Sequence, residues 1–395
     1  MKAITFIMFF TLTSPPFAIG GEVNAHEHWL RPVKTGPSRS AEELYPERCA
    51  KCHRDQYEDW RGALHSKSVG PGLLTQLRPE TDPQTAGSCY YCHAPLALQN
   101  EVIVDEGESG ENAYLSNGSF DERLKLSGVS CAVCHVRQSG VFGPTSPGPD
   151  GLKATVKADH ASVQSEFFEK AEFCAACHQL DEGFDLNGKL LVNTYMEWKE
   201  SEYGKGDIAC QSCHMPGRRH LFRGIHDPDM VKSGVTFDVE SNAGVDRVGA
   251  KLRITNSGVG HYFPTYVTPL VVIKGFLIGA RGKILKGTLK EAVIGRKVTL
   301  DLSKELFDTR IPPFKSHEFD YGVKRSVKAE RLVFEVWVFP DEFYNRFFES
   351  AVKRRDPSMN MKRKELKEAL KNTSGSSYLL FRREFPLKEL LAGVH

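Results

Sequence analysis

A five-residue pattern, Cys-x-x-Cys-His, occurs five times in this 395-residue chain and uses all ten of its cysteines. Two thiols spaced in this way form thioether bonds to a haem edge, and the histidine that follows reaches the iron as an axial ligand. The pattern therefore predicts five covalently attached haem c groups. The cysteines that would hold them are Cys49 and Cys52, Cys89 and Cys92, Cys131 and Cys134, Cys174 and Cys177, and Cys210 and Cys213. The histidines that would ligate the irons are His53, His93, His135, His178 and His214.

Other uses of paired cysteines explain the sequence less well. A zinc site made of four thiolates needs two pairs, and the five pairs of this chain leave one over. A redox-active pair of the thioredoxin type occurs singly near a strand–helix–strand pattern, which this sequence lacks. Disulfide bonds would not place a histidine at the same offset each time.

An electron-transferring haem iron usually takes a second strong ligand. Beyond the motifs, the chain offers His26, His28, His65, His160, His220, His226, His261, His317 and His395. If residues 54–67 form one helix, His53 and His65 lie about 18 Å apart along its axis. Because two ligands of one iron approach opposite faces of one porphyrin, we expect His65 to bind a haem other than the first. Met215 and the other methionines are alternative ligands at single sites.

The surroundings of His261 suggest a link between the two parts of the chain. His261 follows Gly258 and Gly260, which would let a porphyrin edge approach the backbone closely. It precedes Tyr262 and Phe263, whose rings could pack on the face of a haem. The C-terminal part would then donate a ligand to the haem region. A structural histidine at a strand end is the alternative.

Residues 1–25 have the composition of a secretory signal peptide. Lys2 supplies the positive charge, residues 4–12 the apolar core, and residues 23–25 or 16–18 a small-residue cleavage site. The apolar run is shorter than the roughly 20 residues that span a bilayer. We therefore expect an exported protein, periplasmic or extracellular, with an uncleaved membrane anchor as the alternative.

The formal charge of the polypeptide is +2. Five haems would add about ten propionate carboxylates and about one positive charge per ferric iron, which gives roughly −3. An acidic holo-protein of this kind excludes nucleic acid as the expected partner. The expected partners are redox proteins.

We expect an α+β protein with two domains after the signal peptide. Residues 40–235 are predicted to form a mostly helical, loop-rich pentahaem domain, with helices at 54–67 and 162–177. Residues 245–395 alternate in the manner of an antiparallel β-sandwich, and a basic helix at 353–371 interrupts the strands. The expected strands are 251–255, 270–278, 298–302, 332–339 and 378–385, and the expected glycine-rich loops are 107–118 and 140–151.

The sequence resembles the multihaem c-type cytochromes related to the tetrahaem cytochrome c of ammonia oxidisers and to the hydroxylamine oxidoreductase-like family. The matching segments are residues 49–65, 89–95, 128–135, 172–178, 210–216, 220–227 and 260–265. The last two resemble longer members that carry a C-terminal β-domain. The resemblance implies that His65 is the distal ligand of a neighbouring haem and that His160, His220, His226 and His261 are the other distal ligands. Which of them meets which iron stays open.

The expected function is electron transfer by an exported pentahaem cytochrome through closely packed bis-histidine haems. The alternative is a multihaem oxidoreductase that acts on a small nitrogen or sulfur oxyanion at an iron with an open axial position. Pentahaem nitrite reductases typically use a lysine in place of the motif histidine at the catalytic haem, whereas all five motifs here end in histidine. A homo-oligomer or filament is a further alternative, in which His26 or His28 ligates a haem of a neighbouring subunit.

Overall fold

The computed structural model describes residues 39–77, 81–106, 112–137, 140–145, 162–181, 183–244, 246–354 and 362–391. The expected signal peptide and the histidines at positions 26, 28, 160 and 395 lie outside these residues. Within them, helices and loops occupy the N-terminal part and antiparallel sheets the C-terminal part, which confirms the α+β prediction. The described helices include none that is long and apolar enough to cross a membrane.

The N-terminal part is built from short helices. Prolines and capping side chains begin several of them, as where Asp82 accepts a hydrogen bond from the Thr85 backbone N–H ahead of Pro83. The helices are α1 (Ala41–Leu44), α2 (Pro46–Cys49), α3 (Arg54–Gly62), α4 (Pro71–Gln76), α5 (Pro83–His93), α6 (Glu122–Leu126), α7 (Cys131–His135), α8 (Glu172–His178), α9 (Thr194–Lys199), α10 (Glu202–Lys205), α11 (Cys210–His214) and α12 (Pro228–Gly234).

Short strands connect these helices. They are β1 (Val102–Glu106), β2 (Asn112–Ser116), β3 (Val136–Arg137), β4 (Gly140–Gly143), β5 (Ser162–Gln164), β6 (Asp185–Leu186) and β7 (Lys189–Leu190). The glycine-rich stretch 107–118 was expected to be a loop, but it contains β2, which pairs with β1, so the loop prediction was wrong for Asn112–Ser116. Likewise β4 occupies the start of the loop expected at 140–151 and pairs with β3 and β5.

The helix expected at 54–67 is interrupted. Helix α3 ends at Gly62, Ala63 is extended with ψ 161°, and a separate 3-10 turn covers Leu64–Lys67. Glycine disfavours the helix interior because it loses more backbone freedom than other residues. His65 therefore lies on a turn whose direction is independent of α3.

The helix expected at 162–177 is also shorter than predicted. Residues 162–164 form β5, a 3-10 turn covers Glu166–Glu169, and α8 begins only at Glu172. The Ser165 hydroxyl accepts a hydrogen bond from the Phe167 N–H, a local bond that competes with helix formation.

The C-terminal part is a two-sheet sandwich. Its strands are β8 (Val235–Ser241), β9 (Arg247–Asn256), β10 (Leu270–Gly279), β11 (Lys290–Val298), β12 (Glu305–Asp308), β13 (Ser316–Lys324), β14 (Ala329–Phe339) and β15 (Tyr378–Pro386). One antiparallel sheet has the order β12-β11-β10-β14-β15 and the other β13-β9-β8. Alternate residues of β9 and β14 point into a common core because side chains alternate between the two faces of a strand. The first strand begins at Val235, ahead of the expected residue 245.

Two further differences follow from local chemistry. Of the strand expected at 298–302, only Val298 is in a strand, at the end of β11; the rest is a turn in which the Asp301 carboxylate accepts hydrogen bonds from the Thr299 hydroxyl and the Ser303 N–H. The basic stretch contributes to two helices, α13 (Glu342–Arg354) and α14 (Arg363–Ser374), rather than to one. These pack on each other through Phe348 and Leu366. A last helix, α15, covers Leu387–Leu391.

Candidate multihaem site

The five Cys-x-x-Cys-His motifs lie on or beside short helices. The second to fifth motifs form the end of α5, all of α7, the end of α8 and all of α11. The first begins at Cys49, the last residue of α2, and leads into α3. Residues three and four apart share one face of a helix. Each motif therefore presents its two thiols and its imidazole on the same side, as attachment of one haem requires.

Cysteines of different motifs lie next to each other. The Cys49 and Cys131 thiols share a hydrogen bond, which lowers the pKa of the free Cys49 thiol to about 7. Two further contacts join Cys92 to Cys177 and Cys174 to Cys210. All ten cysteines are free, and the described residues contain no group of three or more cysteine, histidine or acidic side chains placed to hold a metal ion.

Three pairs of histidine rings lie next to each other, and each pair joins a motif histidine to a histidine from elsewhere in the chain. The ring centroids are 6.1 Å apart for His178 and His65, and 6.1 Å apart for His135 and His220. They are 6.3 Å apart for His214 and His261. The fold thus brings three predicted distal histidines to three predicted proximal ones.

These separations match what one iron between two imidazoles requires. A histidine–metal bond is about 2.0–2.1 Å long and the ring centroid lies about 1.1 Å behind the nitrogen, so two opposed imidazoles have centroids about 6.3 Å apart. The centroid separation of each pair is therefore the one that a haem iron held between the two rings would require.

Hydrogen bonds orient most of these rings through Nδ1 and leave Nε2 available for a metal. Backbone carbonyl oxygens accept from the motif histidines, with distances of 2.8 Å from His93 to Ser68, 2.7 Å from His135 to Phe142 and 2.6 Å from His214 to Arg223. His220 and His261 are held in the same way by the carbonyls of Arg218 and Tyr262, at 3.0 and 2.9 Å. His178 instead meets the hydroxyl of Tyr266. Such partners fix the tautomer and the ring orientation of a ligating histidine.

Burial favours the neutral form of five histidines in these pairs. It lowers the pKa of His65, His135, His178 and His261 to about 4 in each case. Burial also lowers the pKa of His220. A neutral imidazole is the form that binds a metal.

The other predicted distal ligands, His226 and His160, do not belong to these three pairs. Nε2 of His226 is hydrogen-bonded to Oδ1 of Asp341 at 3.0 Å. Tyr344 of α13, three residues after Asp341, interacts electrostatically with Cys89 of the second motif. His226 therefore lies on the side of the molecule that carries this motif. Among the described residues, no histidine ring packs against His93. His160 lies outside them.

The structure corrects the expected surroundings of His261. A side chain at Gly258 would meet the Ser233 carbonyl oxygen at 2.7 Å, and one at Gly260 would meet Trp198 at 3.2 Å, so the two glycines make room for protein rather than for a porphyrin edge. Phe263 is 4% exposed and belongs to the sandwich core. Arg310 lies over the Tyr262 ring.

Sequence reasoning missed the residues that support the ligands. Asp59, on α3, holds the backbone N–H of His220 at 3.0 Å. Tyr266 comes from the β-domain and reaches the histidine of the fourth motif. Neither has a motif of its own, and the remaining partners are backbone carbonyls that no residue type marks. Only the position of Tyr266, just after the 260–265 segment, could have drawn attention to it.

Comparison with known proteins finds similarity to cytochromes. Residues 48–136 match the family described as cytochrome c554 and c-prime. Cytochrome c-552 of Aliarcobacter butzleri is 24% identical over 139 residues, which are 32% of this chain and 26% of that protein. The match thus spans about a quarter of the length of that relative.

A solved structure extends the likeness to most of the chain. It is the crystal structure of a penta-heme cytochrome c552 from Thermochromatium tepidum, with a TM-score of 0.61 and 19% identity, covering 88% of this chain and all of that one. At this identity the likeness concerns the fold. The family model and the curated relative are both cytochromes c, and the solved structure shows that this chain shares the fold of a penta-heme cytochrome.

Proposed function

We propose that this protein is an exported pentahaem electron carrier in which each haem c is bound through the two cysteines and the histidine of one motif. When bound, each haem supplies a one-electron ferric–ferrous couple whose potential depends on its axial ligands, hydrogen bonding and burial. Three histidine pairs with centroids 6.1–6.3 Å apart carry the proposal.

The proposed ligand pairs follow from these contacts. His220 serves the third haem opposite His135, His65 the fourth opposite His178, and His261 the fifth opposite His214. His65 thus belongs to a haem other than the first, as its geometry in the sequence suggested. His160 and His226 are proposed for the first two haems. His226 would serve the second, provided that its Nε2 leaves Asp341 or its Nδ1 faces the iron.

Contacts between cysteines support a compact order of haems. The first motif touches the third, the fourth touches the second and the fifth, and Cys134 of the third acts electrostatically on Cys174 and Cys177 of the fourth. We therefore place the fourth motif at the junction of the cluster. Close neighbours on either side of it suit transfer of electrons through the protein between two redox partners.

The remaining parts of the proposal rest on the sequence. Residues 1–25 would be removed on export to the periplasm or the cell exterior, and residues 40–235 and 245–395 would form the haem domain and the β-domain. The proposal also includes a relationship to the hydroxylamine oxidoreductase-like family. It further includes the assembly of the protein into a homo-oligomer.

Spectroscopy and mass measurement of the purified protein test the proposed function. Five covalent haems and low-spin ferric EPR signals from the histidine-paired irons are expected. A polypeptide without covalent haem would refute the proposed function as an electron carrier. A high-spin ferric population that binds nitrite or another small oxyanion would favour the enzymatic alternative.

A further inference from the structure

Tyr266 places a side chain of the β-domain against the proximal histidine of the fourth haem. The other described Nδ1 partners of motif histidines are backbone carbonyls, from Ser68, Phe142 and Arg223. At His178 the partner is the Tyr266 hydroxyl. Tyr266 is thus a partner that a single substitution removes without moving the backbone.

The hydrogen bonds continue beyond Tyr266 into the interface between the two domains. The Thr194 hydroxyl interacts with the Tyr266 phenol and lies 2.9 Å from the Thr265 hydroxyl. The Thr265 hydroxyl donates to Oε2 of Glu197 at 2.7 Å. With iron at Nε2 of His178, Nδ1–H must donate, so each hydroxyl donates to the next and the chain ends on a carboxylate.

The carboxylate at the end of this chain is buried and firmly held. Glu197 is 6% exposed and also accepts from the Tyr262 N–H at 3.1 Å and from Nη1 of Arg310 at 3.0 Å. Arg310 is in turn paired with Asp308 through two bonds of 2.9 Å. This cluster of charges joins α9 to the β-domain and fixes the far end of the hydrogen-bond chain.

We propose that Tyr266 is a positioning residue that couples the iron ligand His178 to the Glu197 carboxylate and thereby lowers the reduction potential of the fourth haem. A histidine that donates from Nδ1 becomes a stronger electron donor at Nε2, which favours the ferric state. Successive hydrogen bonds polarise one another, so the anionic end of the chain strengthens this donation. The inference rests on the proposed haem function and adds that the β-domain tunes one member of the cluster.

Tyr266→Phe in the haem-loaded full-length protein tests this inference. The expected result is an upward shift in the midpoint potential of one haem. Loss of one hydrogen bond should change its reduction equilibrium about two- to tenfold, or about 20–60 mV at 59 mV per tenfold. Glu197→Gln should shift the same haem in the same direction. If Glu197→Gln fails to fold, the midpoint potentials of Tyr266→Phe alone test the inference.

The shifted haem is identified with a second variant. His65→Ala removes the partner of His178, so the low-spin EPR signal that it abolishes should be the signal that Tyr266→Phe displaces. Tyr321→Phe is the matched control, since it removes a buried hydroxyl bonded to the Thr288 carbonyl at 2.9 Å within the sandwich.

The outcomes separate this inference from the proposed function. Parental potentials in Tyr266→Phe, or an equal shift in Tyr321→Phe, would overturn the role of Tyr266 while the five covalent haems stand. A parent protein without covalent haem would refute the proposed function itself.

Discussion

Arg219 and Asp59 form a two-point ion pair although 160 residues separate them in the chain. The guanidinium donates from Nε at 2.7 Å and from Nη2 at 2.6 Å, and the same carboxylate accepts the backbone N–H of His220 at 3.0 Å. Bidentate pairs of this kind fix orientation as well as adding energy. Asp59, close behind the first motif, therefore anchors the segment that carries the proposed distal ligand of the third haem.

Asp59→Asn should loosen His220. The amide lacks the charge that holds Arg219, so a fraction of the third haem should become high-spin while the mass of five haems is retained. EPR and ultraviolet–visible spectra measure this change. Glu58→Gln is the control on the same helix, because Glu58 pairs with Arg61 at an exposed position. Spectra of Asp59→Asn identical to the parent would remove Asp59 from the support of His220.

His65→Ala and His261→Ala should each expose one iron. The ring pairs predict that His65→Ala affects the haem attached to Cys174 and Cys177, and that His261→Ala affects the haem of the fifth motif. Each variant should keep five covalent haems and convert one to a high-spin or water-ligated form. The double variant should convert two.

A histidine away from the motifs provides the control for these variants. His317 lies on β13, opposite Ile254 of β9, and His317→Ala should leave all haem spectra unchanged. An unchanged spectrum in His65→Ala or His261→Ala would exclude that residue as a ligand. A double variant with only one altered haem would show that the two histidines serve the same iron.

Haem attachment should be needed for the N-terminal part to fold but not for the sandwich. The largest apolar core runs from Val231 to Leu390, whereas the apolar clusters around the motifs are small. Where a cofactor completes the core, its binding energy becomes folding energy. Expression without cytochrome c maturation should give a protein whose haem region is digested by protease while a fragment beginning near Val235 survives. Equal protection of the full-length apo-protein would contradict this.

Asp308→Asn should destabilise the β-domain and its junction with α9 in a pH-dependent manner. Burial opposes ionisation of Asp308, but hydrogen bonds from Arg310 and Lys189 outweigh it and hold the carboxyl pKa below its ordinary value. Removing one partner of a buried pair costs about 3–5 kcal/mol. The cost should be at the lower end of this range here, because the Asp308 side chain is 12% exposed.

The sign of the pH effect follows from the lowered pKa. A depressed carboxyl pKa stabilises the fold above the unfolded value of about 3.9, and the contribution fades as pH falls towards the folded value. The loss of stability in Asp308→Asn should therefore be full near neutral pH and smaller at about pH 2.5. Thermal unfolding of variant and parent at both values measures it. The exposed pair of Glu349 and Lys353 supplies the control, since Glu349→Gln should cost less than about 1 kcal/mol.

The haem-binding motifs could be predicted from the sequence, because they depend on the spacing of residues that are close together in the chain. The spacing of Cys174, Cys177 and His178 is a local property, and a short helix presents it without help from the rest of the fold. The alternation of apolar residues in 270–278 and 332–339 likewise predicted two central strands of the sandwich, β10 and β14. Predictions failed where a local bond or a glycine overrode periodicity, as at Gly62 and Ser165.

The partnerships between distant residues were decided by the tertiary structure alone. Nothing in the sequence near His65 points to His178, because the contact is made by a turn whose direction α3 does not set. The same holds for Tyr266, which reaches His178 only because the sandwich docks through Glu197 and Arg310. Residue types and short spacings determine which groups are able to bind a haem. Long-range packing determines which two groups meet, since side chains far apart in sequence become neighbours only when the core between them forms.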